Sequence, residues 1–281
     1  MLAALGDVVD DIVVRIGGPI HLTSDTDASI TRRRGGSAAN VAATAARLAG
    51  RARFLGQVGD DATADLLLAE LVDDDVDVSF VRRGGRTGAI VVLVDEFGER
   101  CFLTDAGSAR ALDAPDPSWL DGVDVLHVPF YSLVDEPIAS TATTTIGWAH
   151  DRGIAVSIDA SSVAVLESFG VDRAWQLFAA LRPSVFFAND DEARFLGVTS
   201  AVGDAVTFVR HGAGDAVVQL PEGTTCVVPA LEVGDVSDTT GAGDAFAAGV
   251  LASVAWRTDP SAACAMGHRA AARLLSSRPR N

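Results

Sequence analysis

Asp238-Thr239-Thr240-Gly241-Ala242-Gly243-Asp244, running without a break into Ala245-Phe246-Ala247-Ala248-Gly249-Val250-Leu251, decides how the rest of the chain is read. Residues Val233 to Ser237 before it read as a strand end or turn, and the alanine-rich run after it is a good helix former. Gly241 to Asp244 therefore fall where a loop becomes the first turn of a helix. The two glycines let the backbone come close to a ligand. The first amides of a helix have no internal partner and sit at its positive end, so this is an anion site by construction. A carboxylate there is repelled by a bound anion unless a proton or metal intervenes. A base that takes a proton from an attacking hydroxyl fits that place. The plain alternative is an aspartate N-cap on an ordinary helix.

Composition narrows the chemistry further. At 281 residues and 48% hydrophobic content, the chain can bury one large core with a small appendage. No apolar run is long enough to cross a bilayer, and Asp7 and Asp10 stand where a signal peptide needs basic residues. Cys101, Cys226 and Cys264 are scattered without metal-ligand spacing, as in small buried hydrophobes of a reducing cytoplasm. The net charge of −16 opposes nucleic acid and anionic membranes, so any anion must be held by local geometry. All 22 basic residues are arginine. Without lysine there is no P-loop, no protein-kinase lysine and no Schiff base.

Taken in order, Leu2 to Leu5 reads as a buried strand and Ile12 to Ile16 as a second one. A polar loop and the run Arg32-Arg33-Arg34 follow, then a helix from Val41 to Gly50 and a strand from Arg53 to Val58. Asp60-Asp61 start another helix. Thr87 to Asp95 and Glu99 to Thr104 flank Glu96-Phe97-Gly98 as a hairpin, apolar on both faces. With Ile12 to Ile16 they form a small separate sheet that clasps a second copy or closes over a ligand. Strands at Val123 to Val128, Ile154 to Asp159, Val185 to Phe187 and Val206 to Val209 alternate with helices from Ile138, Val171 and Asn189. That rhythm predicts a parallel α/β sheet. A hairpin pair (Ala216 to Leu220, Thr225 to Val228), the helix after Gly243 and a last helix from Ser261 to Leu275 complete the chain, ahead of a frayed tail at 278–281.

Gly35-Gly36-Ser37-Ala38-Ala39-Asn40 is the second informative string, either a close-approach helix start with an amide donor and acceptor or a plain glycine turn. Asn189-Asp190-Asp191-Glu192 suits a helix start with favourable acids. Arg32 to Arg34 read as a solvated run, or as a clamp for a carboxylate or phosphate on a ligand.

The 238–244 string resembles the second signature of the PfkB/ribokinase family of sugar and nucleoside kinases at every position, and Gly35 to Asn40 with Gly56 and Gly59-Asp60-Asp61 resemble the first. The resemblance covers nearly the whole chain. It implies a single domain over 1–281, a three-layer α/β/α fold with a mostly parallel sheet. A small β lid is inserted at about 11–34 and 84–105 and commonly dimerises. It implies Asp244 as catalytic base and Gly241, Ala242 and Gly243 as the anion hole. Gly35, Gly36, Asn40 and Asp11 then bind the acceptor hydroxyls. Asn189 and Glu192, matching the family's N-x-x-E, organise Mg²⁺ largely through water. Arg210, Gly212, Gly214 and Thr240 line the ATP site, and Asp238 is where an activating monovalent cation such as K⁺ would bind. Three departures stand out: Asp215 replaces a usual glycine, the 189–212 segment lacks a helix's worth of residues, and Ala49 stands where glycine or serine is usual. The first string looks closer to fructokinases and keto-deoxy-gluconate kinases than to ribokinase. An adenosine-type nucleoside kinase is the alternative, for which Phe97 or Phe102 would stack on the base. A sugar-binding relative without catalysis is a further one.

Overall fold

The computed structural model describes residues 1–97, 99–234, 236 and 238–277. The hairpin glycine Gly98, Asp235 and Ser237 of the expected turn, and the 278–281 tail lie outside the described residues. In chain order the elements are β1 (Leu2–Leu5), β2 (Val9–Ile16), β3 (Ala28–Gly35), α1 (Ser37–Ala49), β4 (Ala52–Leu55), β5 (Gln57–Val58), α2 (Ala62–Asp73), β6 (Val76–Asp77) and β7 (Arg82–Arg83). There follow β8 (Thr87–Val94), β9 (Arg100–Gly107), β10 (Val125–Pro129), α3 (Ile138–Asp151), β11 (Ala155–Asp159), α4 (Val163–Phe169), α5 (Val171–Leu181), β12 (Val185–Asn189) and α6 (Asp190–Leu196). Last come β13 (Val206–Arg210), β14 (Ala216–Gln219), β15 (Thr225–Val228), α7 (Ala242–Ala252) and α8 (Pro260–Ser276).

Nine strands form the main sheet in the order β15-β14-β13-β12-β11-β10-β1-β4-β6. All neighbours are parallel except the β13-β14-β15 edge, which is antiparallel. Apolar runs such as Leu2–Leu5 suit strands covered on both faces. Leu2 and Ala4 face one core with α1, α2, α7 and α8, while Ala3 and Leu5 face the other with α3, α4, α5 and α6. Val185 and Phe187 divide from Phe186 and Ala188 in the same way. The three-layer α/β/α expectation therefore holds. Among the described residues no helix is long and apolar enough to cross a membrane.

α7 lies against α8 with almost no side chain between them. A methyl group on Gly249 would sit 2.6 Å from the Met266 carbonyl oxygen, and one on Gly267 2.9 Å from the Phe246 ring. α7 is thus braced along its length.

The second sheet runs β3-β2-β8-β9. Its register puts Val9, Asp11, Val13, Arg33 and Ile90 on the face toward the main sheet, and Ile12, Val14, Ile30, Val91, Leu93 and Leu103 on the other. Ile30 and Leu103 are more than half exposed. β3 corrects the expected polar loop. Its ladder bonds come from the backbone, along the whole of β2, so a polar sequence does not prevent the strand. Two of its arginines are drawn inward and not simply solvated, Arg34 reaching Asp74 at 3.0 Å and Arg33 bonding Asp238, whereas Arg32 stays exposed beside Asp10 at 2.9 Å. Two smaller differences follow from local sterics and exposure. The expected Arg53–Val58 strand breaks at Gly56, whose missing side chain leaves room for the Phe54 ring and the Gly6 carbonyl. Cys101 is exposed, not buried, because its register opposite Leu93 puts it on the lid's outer face.

Candidate active site

A cavity of about 1160 Å³ opens where the C-terminal ends of β1, β10, β11, β12 and β13 meet the lid. β1 has β10 on one side and β4 on the other, so the strand order reverses there, the usual place for a ligand in an open α/β sheet. Asp159, Asn189 and Arg210 are the last residues of three adjacent strands, and all three line the cavity.

Asp244 is the third residue of α7, behind an N-cap glycine, Gly241, at φ 77°. Its carboxylate caps nothing. Instead it accepts 2.7 Å from the Ser37 hydroxyl and 2.9 Å from the Asn40 amide nitrogen, both on α1. Burial on the cavity floor pushes its pKa up to about 7. Those two bonds pull the other way, and the Asp159 and Asp7 carboxylates add to the rise. Gly241, Ala242 and Gly243 line the cavity. The Ala242 amide, however, closes a turn onto Thr239 O at 3.1 Å, so it is committed and is not an anion donor as expected.

Arg210 was expected in the nucleotide site. It lines the cavity beneath the 241–244 turn, donating to Gly243 O at 2.9 Å and pairing with Asp159 at 2.9 Å, with Glu192 at 3.9 Å. Burial works against its charge, but those two carboxylates outweigh that and keep it a guanidinium. A methyl group on Gly243 would lie 2.9 Å from its Nη1, so the glycine is required by the arginine as much as by a ligand. Asn189 and Glu192 bond each other as a capping box, with Asn189 Nδ2 to Glu192 Oε1 at 2.7 Å and Glu192 N to Asn189 Oδ1 at 2.9 Å. Burial, with the Asp159 carboxylate adding, raises Glu192 to about 7. The donors here are oxygens with spare lone pairs, which fits a Mg²⁺ held through its own waters. No trio of Asp, Glu, His or Cys that could hold a metal directly occurs among the described residues.

Of the residues expected to bind an acceptor, Asp11, Gly36 and Asn40 line the cavity. Gly35 does not; a Cβ there would overlap the Asp11 carboxylate, so its role is to make room for it. Burial raises Asp11 to about 6, moderated by Arg33. Gly36, at φ 98°, has Asp7 O within 2.5 Å of where a Cβ would be, so it also lets α1 start against the end of β1. Phe102 is on the cavity wall, whereas Phe97 is 82% exposed and does not line it. Arg110 and Arg173 reach the same cavity, the first 3.1 Å from Asp135, the second 4.3 Å over the ring of Phe169.

Gly212, Gly214 and Thr240, the other residues expected around the nucleotide, line the same cavity, as do His268, Ala271 and Leu275. Asp215, the departure from the expected glycine, receives the Ala230 amide at 3.2 Å and ties the β13-β14 turn to the segment after β15. The short 189–212 segment runs from α6 to β13 with no further helix. Asp238 does not match the expected cation site. Arg33 bonds its carboxylate, Arg100 lies 3.1 Å from it, and Thr240 donates from its amide and hydroxyl at 3.0 and 2.7 Å. Asp159 and Arg100 were missed as site residues because each comes from a segment with no local pattern; Ser37 and Arg33 lay in strings already singled out, but only the fold shows what their side chains face.

The chain matches the pfkB family carbohydrate kinase profile over residues 2–278. It is 36% identical over 251 residues to the ATP-dependent ribose-1-phosphate kinase of Halopiger xanaduensis, covering 84% of this chain and 78% of that protein. It is 30% identical over 256 residues to a fructokinase of Klebsiella pneumoniae, covering 84% and 81%. Among solved structures, the Halothermothrix orenii fructokinase superposes with a TM-score of 0.78 at 20% identity over 100% and 99% of the two chains. The adenosine kinase of Sinorhizobium meliloti gives 0.84 at 22% identity over 100% and 96%. At such identities these two likenesses establish the ribokinase-like fold alone.

Proposed function

The chain belongs to the pfkB family of carbohydrate kinases, and from that premise we propose that it transfers the γ-phosphoryl of ATP to a hydroxyl of a sugar, sugar acid or sugar phosphate, with Asp244 as general base. One observation carries this. The Asp244 carboxylate is held by Ser37 and Asn40 on the floor of the cavity, beside the amino end of its own helix. Its pKa of about 7 suits a base that must accept a proton near neutrality and hold it while the phosphoryl moves. With the Ala242 amide committed, the amides of Gly241, Gly243 and Asp244 itself take up charge on the phosphoryl oxygens. Arg210 fixes the Gly243 peptide from below. Asn189 and Glu192 would hold the waters of a Mg²⁺ ion, which would supply neutralising charge to the triphosphate. Asp11, Gly36 and Asn40 orient the acceptor. Arg110 and Arg173 suit an acceptor with its own phosphate, in keeping with the ribose-1-phosphate kinase relative.

Further readings complete the proposal. The outer lid face, with Ile30 and Leu103 exposed, pairs with a second copy. Free Cys101, Cys226 and Cys264 suit a reducing cytoplasm. The nucleoside alternative keeps one observation in its favour, Phe102 on the cavity wall. ADP formation measured with ribose 1-phosphate, fructose, keto-deoxy-gluconate and adenosine tests the whole reading. We expect turnover with a sugar or sugar phosphate. Turnover with adenosine alone would move the assignment to a nucleoside kinase, and none with any acceptor would favour a non-catalytic binder.

A further inference from the structure

Arg33 and Arg100 stand on the two edge strands of the lid, β3 and β9, yet both reach the one carboxylate at Asp238. Arg33 Nη1 bonds Oδ2, and Arg100 Nη1 lies 3.1 Å from Oδ1. Oδ1 also accepts from the Thr240 amide and hydroxyl, and Arg100 donates to that hydroxyl at 3.2 Å. The other end of the chain of contacts is in the acceptor site, where Arg33 Nε is 3.6 Å from Asp11. A monovalent cation does not fit here. Each oxygen of Asp238 already faces a guanidinium, and an added ion would share the carboxylate with two fixed positive charges. Arginine suits such a post, because its charge is permanent and its donors are set in a rigid fork.

We propose that Arg33 and Arg100 replace a monovalent cation at Asp238, acting as positioning residues that hold the 238–240 segment, and so the start of α7, from the lid. The consequence for turnover rests on the kinase reading; the test below does not. The full chain is examined in KCl and in tetramethylammonium chloride at equal ionic strength, by thermal unfolding and by calorimetric binding of a non-hydrolysable ATP analogue with Mg²⁺. For the unaltered chain we expect the same Tm within about 1 °C and the same Kd within about twofold. In the Arg33→Gln, Arg100→Gln double variant Asp238 becomes open to an ion, so K⁺ should raise Tm and tighten nucleotide binding roughly tenfold over tetramethylammonium. The Arg33→Lys, Arg100→Lys variant keeps both charges and should stay indifferent to K⁺. A K⁺-specific shift in the unaltered chain, or indifference of the glutamine variant, overturns the proposal. If the double variant does not fold, Arg100→Gln is taken through the same titration with the same criteria. A thallium peak at Asp238 in crystals of the unaltered chain also overturns it, and its absence there supports it. Failure to bind the nucleotide in either salt counts against the kinase reading, while the Tm comparison still decides this one.

Discussion

Asp244 is asked to be a carboxylate at the moment of reaction in a place that resists the charge. Replacing it with asparagine keeps the shape and the partners Ser37 and Asn40, so we expect turnover to fall by ~10²–10⁴-fold with acceptor affinity little changed. Steady-state kinetics with the active acceptor checks this, and near-normal turnover would remove Asp244 as the base. The unaltered enzyme's kcat/KM should rise with pH to a plateau above about 7, because only the ionised form accepts a proton. Stability should run the other way. The folded-state pKa lies above the ordinary 3.8, so the folded chain binds more protons between those values and loses stability as pH rises from about 4 to about 7. The Asp244→Asn variant should therefore gain Tm relative to the parent more at pH ~8 than at pH ~4, readable by calorimetry. Asp244 and Asn40 were legible because each sits in a short glycine-marked string, and Asp11 only through the family resemblance. Ser37 shares Asn40's string but nothing local shows that its hydroxyl will face Asp244, and Asp159, an aspartate ending a strand, carries no local sign of what it will face.

At the level of elements, the buried parallel strands and most helices could be read from apolar runs and their stops, because burial on both faces leaves a continuous hydrophobic signature. β3 could not. An edge strand made of Ser29, Ile30, Thr31 and three arginines has no such signature, and what holds it is the β2 ladder and carboxylates distant in sequence. The α7–α8 crossing was equally hidden, since Gly249 and Gly267 look like helix weaknesses until the two backbones are seen to touch. Gly249→Ala forces a methyl group against Met266 O and should cost about 1–3 kcal/mol, seen as a lower denaturation midpoint. Activity should fall with it, because α7 carries the base. An alanine at Gly147, where no atom lies within 4 Å of a new Cβ, is the control and should leave stability unchanged or slightly raised.

For the molecule as a whole, the lid exposes apolar side chains that a monomer in water has reason to cover. If two copies meet there, Ile30→Asp with Leu103→Asp should halve the mass seen in sedimentation while the α/β body keeps its Tm; a monomeric parent at micromolar concentration would rule the lid interface out. Asp11 belongs to the lid sheet, whereas Asp244, Ser37 and Asn40 belong to the body. On the proposed reading, one of the groups that hold the incoming alcohol thus stands on the lid, while Gly36, Asn40 and the base stand on the body. Were the lid to lift on that reading, the pocket would keep its base but lose Asp11, so a stray water beside the nucleotide would meet a looser grip than the proper guest does, and wasteful hydrolysis would be curbed.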